Sequence, residues 1–145
     1  MVTDIPPVST GADEKPRVLV VDDEYGPRES IAFTLSTEFE VETASRAKEA
    51  LKKIGECEYA AVVMDIRMPV MNGVEATRTI RSTPSPYQNI AIVALTADAS
   101  GENNAACLAA GADVFLTKPV IVSELFSSIR FARRKKLRSQ DALSA

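Results

Sequence analysis

Short apolar runs alternate along the chain with segments in which apolar residues recur at helical spacing. Uninterrupted apolar runs of about four to six residues are typical of strands buried on both faces, as in a parallel sheet covered by helices. The pattern predicts five strands, at residues 18–21, 39–43, 61–64, 90–95 and 114–116, of which the second is the weakest. Because a helical segment follows each run, the chain is predicted to form a doubly wound α/β domain.

Capping residues and helix breakers mark the limits of the first two predicted helices. The first begins at Gly26-Pro27, since proline suits a first helical turn, and runs to about Thr37. The second has Ser45 as its N-cap and stops at Gly55.

The other three helices follow from similar signals. The third comes after Asn72-Gly73 and ends before Pro84, and the fourth spans residues 101–110 and is closed by Gly111. The fifth carries apolar residues on one face at i, i+3, i+4 and i+7: Val122, Leu125, Phe126 and Ile129. Sheets of this class bind ligands beyond the carboxyl ends of their strands, so polar residues at those ends are the candidate functional residues.

The length of 145 residues suits one domain. We expect a disordered N-terminal tail at residues 1–16, a folded domain at 17–137 and a C-terminal tail at 138–145. No apolar run approaches the ~20 residues that span a membrane, and the N-terminus lacks the pattern of a signal peptide. We therefore expect a cytoplasmic protein without a membrane partner.

The charge is unevenly distributed along the chain. The net charge is −3, but residues 130–145 hold six basic side chains and one acidic one, which leaves residues 1–129 with a net charge of −8. An acidic body favours cations, so nucleic acid is an unlikely partner even though the basic stretch could touch it.

Histidine is absent from the sequence. Its absence excludes Ser-His-Asp and Cys-His nucleophilic sites, histidine-ligated zinc and a phosphohistidine carrier. The two cysteines, Cys57 and Cys107, are too far apart for a CxxC metal or redox motif.

Charged and hydroxyl side chains follow four of the predicted strands. Asp22 and Asp23 come after the first strand, Asp65 after the third, Thr96 after the fourth and Lys118 after the fifth. Three carboxylates at one sheet edge repel each other, and a hard cation such as Mg²⁺ with oxygen ligands relieves that repulsion. An acidic nucleophile, a metal site, a lysine and a hydroxyl donor are the groups that phosphoryl transfer to a carboxylate requires.

Four segments of the sequence resemble the receiver domain of two-component response regulators. The resemblance covers about residues 16–136 and implies a flavodoxin-like fold with five parallel strands in the order 2-1-3-4-5. The matching segments, which occur in the order and at the spacing of the family, are VLVVDDE (18–24), VVMDIRMPVMNG (62–73), ALTA (94–97) and FLTKP (115–119).

The resemblance assigns the metal and the acceptor. It implies that Asp65 accepts the phosphoryl group. It implies that Asp23, Asp65 and the backbone carbonyl of Arg67 ligate Mg²⁺, with Asp22 acting through a bound water and Mn²⁺ as an alternative metal.

The resemblance also assigns the switch residues. Lys118 would pair with the phosphoryl oxygens, Thr96 would move to hydrogen-bond them, and Phe115 would turn inward behind it. The bond between Lys118 and Pro119 is expected to be cis. Phenylalanine stands where the family often has tyrosine, which removes a hydroxyl from this switch.

The implied partners are a histidine kinase or histidine phosphotransfer protein and a downstream protein target. Dimerisation through the face of the fourth helix, fifth strand and fifth helix is compatible with the resemblance. We further expect Arg67 and Asp98 to form an ion pair across the mouth of the site, which would slow loss of the phosphoryl group.

Three alternative interpretations can be compared with the sequence. We expect the chain to be a single-domain response regulator. It could instead be a receiver domain from a hybrid histidine kinase. A haloacid-dehalogenase-like phosphatase would need an aspartate two residues after the nucleophile, where this chain has Arg67. A flavodoxin relative that binds a nucleotide or flavin would need a glycine- or hydroxyl-rich loop after the first strand, where this chain has Asp22, Asp23 and Glu24.

Overall fold

A computed structural model describes residues 15–97 and 101–144, with side chains given for all of these except residue 103 and residues 137–144. The N-terminal tail expected at residues 1–16 therefore lies almost entirely outside the described residues. Five strands alternate with five helices: β1 Arg17–Val21, α1 Tyr25–Leu35, β2 Glu40–Ala44, α2 Ala47–Glu56, β3 Ala61–Asp65, α3 Gly73–Ser82, β4 Ala91–Thr96, α4 Gly101–Ala110, β5 Val114–Thr117 and α5 Val122–Ser144. None of the described helices is both long and apolar enough to cross a bilayer.

The strands form one parallel sheet in the order β2-β1-β3-β4-β5, which confirms the expected fold class. Side chains alternate between the two faces of each strand, and in β1, β3 and β4 both faces are buried. Leu19 and Val62 contribute to the cluster of apolar residues that includes the buried sides of α2 and α3. Val20 and Val63 contribute to the opposite cluster, under α1 and α5. This two-sided burial is the reason that the central strands are almost purely apolar in sequence.

The second helix begins and ends later than the sequence pattern indicates. Ser45 is not its N-cap, because the Ser45 N–H instead donates to Glu49 Oε1 at 2.9 Å and the residue before the first helical turn is Arg46. Gly55 lies inside the last turn, since the helix ends at Glu56. The predicted boundaries were therefore early by one or two residues, although the helix itself is confirmed.

The fifth helix differs from its prediction at both ends. Val122 is 53% exposed, so it does not belong to the buried face, which instead continues from Leu125, Phe126 and Ile129 to Ala132. The helix also extends to Ser144 and so runs through most of the segment assigned to a C-terminal tail.

A buried carboxylate joins several elements at the amino end of the sheet. Asp113, directly before β5, accepts hydrogen bonds from the Ile92 N–H at 2.8 Å and from Arg81 Nη2 at 3.2 Å through the same oxygen. Its other oxygen is 3.0 Å from Lys136 Nζ and 3.6 Å from Lys135 Nζ on α5. Arg81 also donates to the backbone carbonyls of Gly111 and Gln88. Asp113 therefore ties β4, the end of α3 and the middle of α5 together.

The loop after β3 contains a backbone conformation that valine rarely adopts. Val70 has φ of 71°, its side chain is 88% exposed, and the Met71 N–H donates to the Pro69 carbonyl across it at 2.9 Å. A positive φ is costly for a β-branched residue, and here no packing offsets the cost.

Replacing Val70 by glycine is expected to raise the free energy of unfolding by about 0.5–1 kcal/mol. Glycine removes about 1–2 kcal/mol of steric strain but adds entropy to the unfolded chain. Val70→Ala is the control, since alanine keeps a Cβ and most of the strain. Urea unfolding of the three proteins measures the difference, and a less stable Val70→Gly protein would contradict the argument.

Candidate functional site

The loop from β1 to α1 carries two aspartates at the carboxyl edge of the sheet. Asp22 is fully buried, and Asp23 is exposed. The Asp22 N–H donates to the Ala44 carbonyl at 3.1 Å, and Asp22 Oδ1 accepts a hydrogen bond from the Glu24 N–H at 2.9 Å. The hydrogen bonds fix the Asp22 backbone and one of its carboxylate oxygens.

Asp65 is the last residue of β3 and is almost fully buried. Its Oδ1 accepts a hydrogen bond from the Arg67 N–H at 3.1 Å. The start of α3 lies against the backbone at this point, since the Gly73 N–H donates to the Ile66 carbonyl and a Cβ at Gly73 would collide with the Asp65 carbonyl oxygen. Asn72 and Glu75 form a capping box that begins α3 at this position. Glycine at position 73 therefore allows α3 to begin directly behind Asp65.

Lys118 lies between the two buried carboxylates. Its Nζ is 3.2 Å from Asp65 Oδ2 and 3.5 Å from Asp22 Oδ2. The backbone N–H of Lys118 donates to the Thr96 carbonyl at 2.7 Å. The peptide bond between Lys118 and Pro119 is cis, as the resemblance implied. One cation thus contacts two of the three predicted carboxylates.

The pKa values of this ion pair reflect burial and charge acting together. Burial raises the pKa of Asp65 above its ordinary value, and the negative charge of Asp22 adds to this, while the Arg67 N–H and Lys118 act in the opposite direction. Burial alone would lower the pKa of Lys118, but Asp65 and Asp22 outweigh it, so this pKa is raised. Lys118 therefore stays protonated at neutral pH, and its charge helps to keep Asp65 ionised.

The two predicted switch residues lie on neighbouring strands. Thr96 is fully buried at the end of β4, and Phe115 is half-buried in β5 and packs against the apolar cluster that contains Leu19. Thr96 thus lies at the carboxyl edge of the sheet, and Phe115 lies on the side of the sheet where Cys107 of α4 packs.

The carboxylates fit a hard divalent cation. One oxygen from each of Asp22, Asp23 and Asp65 lies within 4.8 Å of the others. Asp22 Oδ2 is buried, and although Lys118 Nζ is at ion-pair distance, no described group makes a well-directed hydrogen bond to it. A buried carboxylate oxygen without a hydrogen bond beside two other carboxylates is the environment that an oxygen-seeking cation would complete.

The exposed side of the site opens into a groove of about 580 Å³. Asp23, Arg67 and Pro69 are among the residues that line it, and the Arg67 side chain is exposed. Asp98, the expected ion-pair partner of Arg67, lies outside the described residues.

Sequence reasoning missed one residue beside the site. Arg28, in the first turn of α1, donates from Nη1 to the backbone carbonyl of Asp22 at 3.0 Å. An arginine seven residues after a strand end carries no signal of such a contact in a single sequence.

Comparison with known proteins identifies the family. The family model described as "response regulator receiver domain" matches residues 18–130. The chain is 40% identical over 128 residues to the response regulator MprA of Mycobacterium ulcerans, covering 87% of this chain and 54% of that protein. It is 36% identical over 122 residues to the transcriptional regulatory protein PrrA of Mycobacterium leprae, covering 83% and 51%. The chain thus spans about half the length of these relatives.

Solved structures agree with the sequence matches. A CheY-like receiver domain from Methanospirillum hungatei superposes with a TM-score of 0.78 at 30% identity, covering 87% of this chain and 99% of that one. The receiver domain of the sensor histidine kinase PA1611 from Pseudomonas aeruginosa, described with a magnesium ion in its active-site cleft, gives a TM-score of 0.74 at 30% identity, covering 81% and 98%. The chain therefore belongs to the receiver domains of response regulators, which act as signalling switches in two-component systems.

Proposed function

We propose that Asp65 accepts a phosphoryl group from a histidine kinase or histidine phosphotransfer protein, and that the modified protein changes its affinity for a downstream protein. The observation that carries this proposal is the Asp65 carboxylate at a strand end, in contact with Lys118 and beside Asp22 and Asp23. A cytoplasmic location, where such kinases present their phosphohistidine, belongs to the same proposal.

In the proposed transfer, a carboxylate oxygen of Asp65 forms a bond to phosphorus while the phosphorus–nitrogen bond of the donor breaks. The donor imidazole, already protonated on its other ring nitrogen, takes the electron pair of the broken bond and leaves as neutral imidazole. Lys118 would then pair with the phosphoryl oxygens, and the Thr96 hydroxyl would donate to one of them. Mg²⁺ or Mn²⁺, held by Asp23, Asp65 and the Arg67 carbonyl and, through a bound water, by Asp22, would supply positive charge to the transferring group. The same site would support phosphorylation by small phosphodonors and slow self-dephosphorylation.

Intact-mass measurement tests the proposal. The full chain is incubated with Mg²⁺ and a small phosphodonor such as acetyl phosphate, and the modified residue is then mapped. We expect one added phosphoryl group on Asp65 and none when a chelator removes the metal. A protein that stays unmodified, or one modified at another residue, would refute the proposal.

We propose that the switch surface comprises α4, β5 and the first half of α5. A groove of about 410 Å³ on this face is lined by Leu108, Phe115 and Phe131 among others. Adding a beryllofluoride phosphoryl mimic is expected to shift amide resonances at residues 97–110 and 114–129. Shifts confined to the loops around the metal ligands would argue against a propagated switch. The same face is our candidate surface for dimerisation or for the downstream target.

Arg67 is expected to slow loss of the phosphoryl group. An exposed ion pair contributes only about 0.2–1 kcal/mol, so Arg67→Ala should speed decay at most about fivefold. If Asp98 pairs with it, Asp98→Ala should speed decay less, and the double variant should not be additive. Decay of the acylphosphate in the three variants measures this, and unchanged or slower decay in Arg67→Ala would exclude a guarding role.

The relatives affect two of the earlier interpretations. A relative named as a transcriptional regulator does not support the expectation that nucleic acid is an unlikely partner of the whole protein. One solved neighbour is the receiver domain of a sensor histidine kinase, but the sequence relative MprA is a response regulator and does not favour the hybrid-kinase alternative. The reading frames flanking the gene test it. The phosphatase alternative gains no support, since Arg67 stands where its second aspartate would be.

A further inference from the structure

We propose that Arg28 is a positioning residue for the metal site, holding the loop of Asp22 and Asp23 in place through the Asp22 carbonyl. The inference rests on the proposed function, because it takes the three carboxylates as the metal ligands. It concerns a residue that is not itself a ligand and that the family motifs in this sequence do not include.

The Arg28 side chain is held in one orientation by its surroundings. It is only 14% exposed, and Nη1 donates to the Asp22 carbonyl at 3.0 Å. Its Nε is 3.4 Å from Glu29 Oε2, and its guanidinium lies 5.5 Å from the centre of the Tyr25 ring. The Arg28 N–H also donates to the Glu24 carbonyl at 3.1 Å. Arg28 thus joins the first turn of α1 to the end of β1.

The hydrogen bond from Arg28 to the Asp22 carbonyl holds the loop segment that carries Asp22 and Asp23. Asp22 Oδ1 already accepts from the Glu24 N–H, and Oδ2 is 3.5 Å from Lys118 Nζ. One oxygen of Asp22 lies within 4.8 Å of an oxygen of Asp23 and of Asp65. Without the Arg28 side-chain hydrogen bond, the Asp22 carbonyl would lose its partner, and the peptide between Asp22 and Asp23 would be held only through the Asp22 N–H and the Glu24 N–H. Repulsion among the three carboxylates would then move the exposed Asp23 away, and cation binding would have to restore the arrangement at a cost in free energy.

The charge of Arg28 and its positioning role predict opposite changes in Mg²⁺ affinity when the residue is removed. The Arg28 guanidinium, hydrogen-bonded to the Asp22 carbonyl, adds positive charge beside the site and repels an incoming cation, so by charge alone its removal would tighten Mg²⁺ binding. If Arg28 acts mainly by position, removal weakens binding. The sign of the change in affinity therefore separates the two effects.

The test is Mg²⁺ titration calorimetry on the full chain and on Arg28→Met, Arg28→Lys and Glu29→Gln. We expect Arg28→Met to bind Mg²⁺ about tenfold more weakly, the scale of one lost charge-assisted hydrogen bond, and Arg28→Lys to recover part of the loss. Glu29→Gln is the matched control, since it breaks the neighbouring ion pair but leaves the bond to Asp22, and its affinity should not change. Thermal unfolding establishes that each variant is folded at the titration temperature.

Each outcome has a defined meaning. Unchanged or tighter binding by Arg28→Met would overturn the positioning role while leaving the metal site intact. If that variant does not fold, Arg28→Lys takes its place, and affinity equal to or above that of the unmodified protein has the same meaning. Absence of Mg²⁺ binding by the unmodified protein would instead overturn the proposed metal site itself, and the inference with it.

Discussion

Replacing Asp65 by asparagine is expected to abolish phosphorylation by small phosphodonors and by phosphohistidine donors alike. Asparagine has nearly the same shape, but its amide oxygen is not a nucleophile that can form an acylphosphate. Asp65 is also almost fully buried and contacts Lys118 at 3.2 Å. A neighbouring carboxylate could therefore take its place only if the site rearranged.

Intact-mass measurement after incubation with Mg²⁺ and the phosphodonor gives the result directly. Glu56→Gln, at the exposed end of α2, is the control for removal of one carboxylate and should be phosphorylated normally. Phosphorylation that persists in Asp65→Asn would move the acceptor to Asp22 or Asp23, the other two carboxylates of the cluster. Circular dichroism of the variant establishes that loss of modification does not come from loss of the fold.

Replacing Asp113 by alanine is expected to lower the free energy of unfolding by about 3–5 kcal/mol, the usual cost of removing one partner from a buried ion pair. The change leaves the Ile92 N–H and Arg81 Nη2 without the oxygen that accepts from both of them. It also leaves Lys136, whose side chain is 21% exposed, without the carboxylate at 3.0 Å. Because a domain of this size is stable by about 5–15 kcal/mol, the variant should unfold at a much lower urea concentration.

Lys135→Met provides the matched control for the Asp113 network. Its Nζ is 3.6 Å from the same carboxylate, but its side chain is 51% exposed, so its loss should cost less than about 1 kcal/mol. Equal decreases in the free energy of unfolding of Asp113→Ala and Lys135→Met would contradict the argument that burial strengthens the Asp113 contacts. Amide exchange adds a local readout, since the middle of α5 should exchange faster in Asp113→Ala.

Sequence reasoning worked where one physical cause acts on consecutive residues. β1, β3 and β4 were predicted because burial on both faces requires an apolar residue at nearly every position. β2 lies at the edge of the sheet and is only partly buried, which explains its weaker pattern. The candidate site residues came from the rule that parallel strands share one carboxyl edge, and Asp22, Asp65 and Lys118 do lie together there.

The contacts that were missed depend on side chains distant in sequence. Asp113 meets Arg81, 32 residues earlier, and nothing in the local pattern around either residue indicates the pair. Val122 has the spacing of a buried residue, but it is the first residue of α5 and is 53% exposed, and the buried face begins at Leu125. The start of α2 was misplaced because Ser45 can serve either as an N-cap or, as here, as a donor to Glu49.

The parallel topology has an electrostatic consequence that does not depend on any side chain. Each strand is followed by a helix, so the amino-terminal ends of α1, α3 and α5 face the same edge of the sheet as Asp22, Asp23 and Asp65. Aligned peptide dipoles place about half a positive charge at such an end. Phosphorylation would add a group of about −1.5 to −2 charge at this edge. Part of the electrostatic stabilisation of this charge would therefore come from the backbone of the fold, and substitutions of Lys118 or Arg28 would leave that part in place.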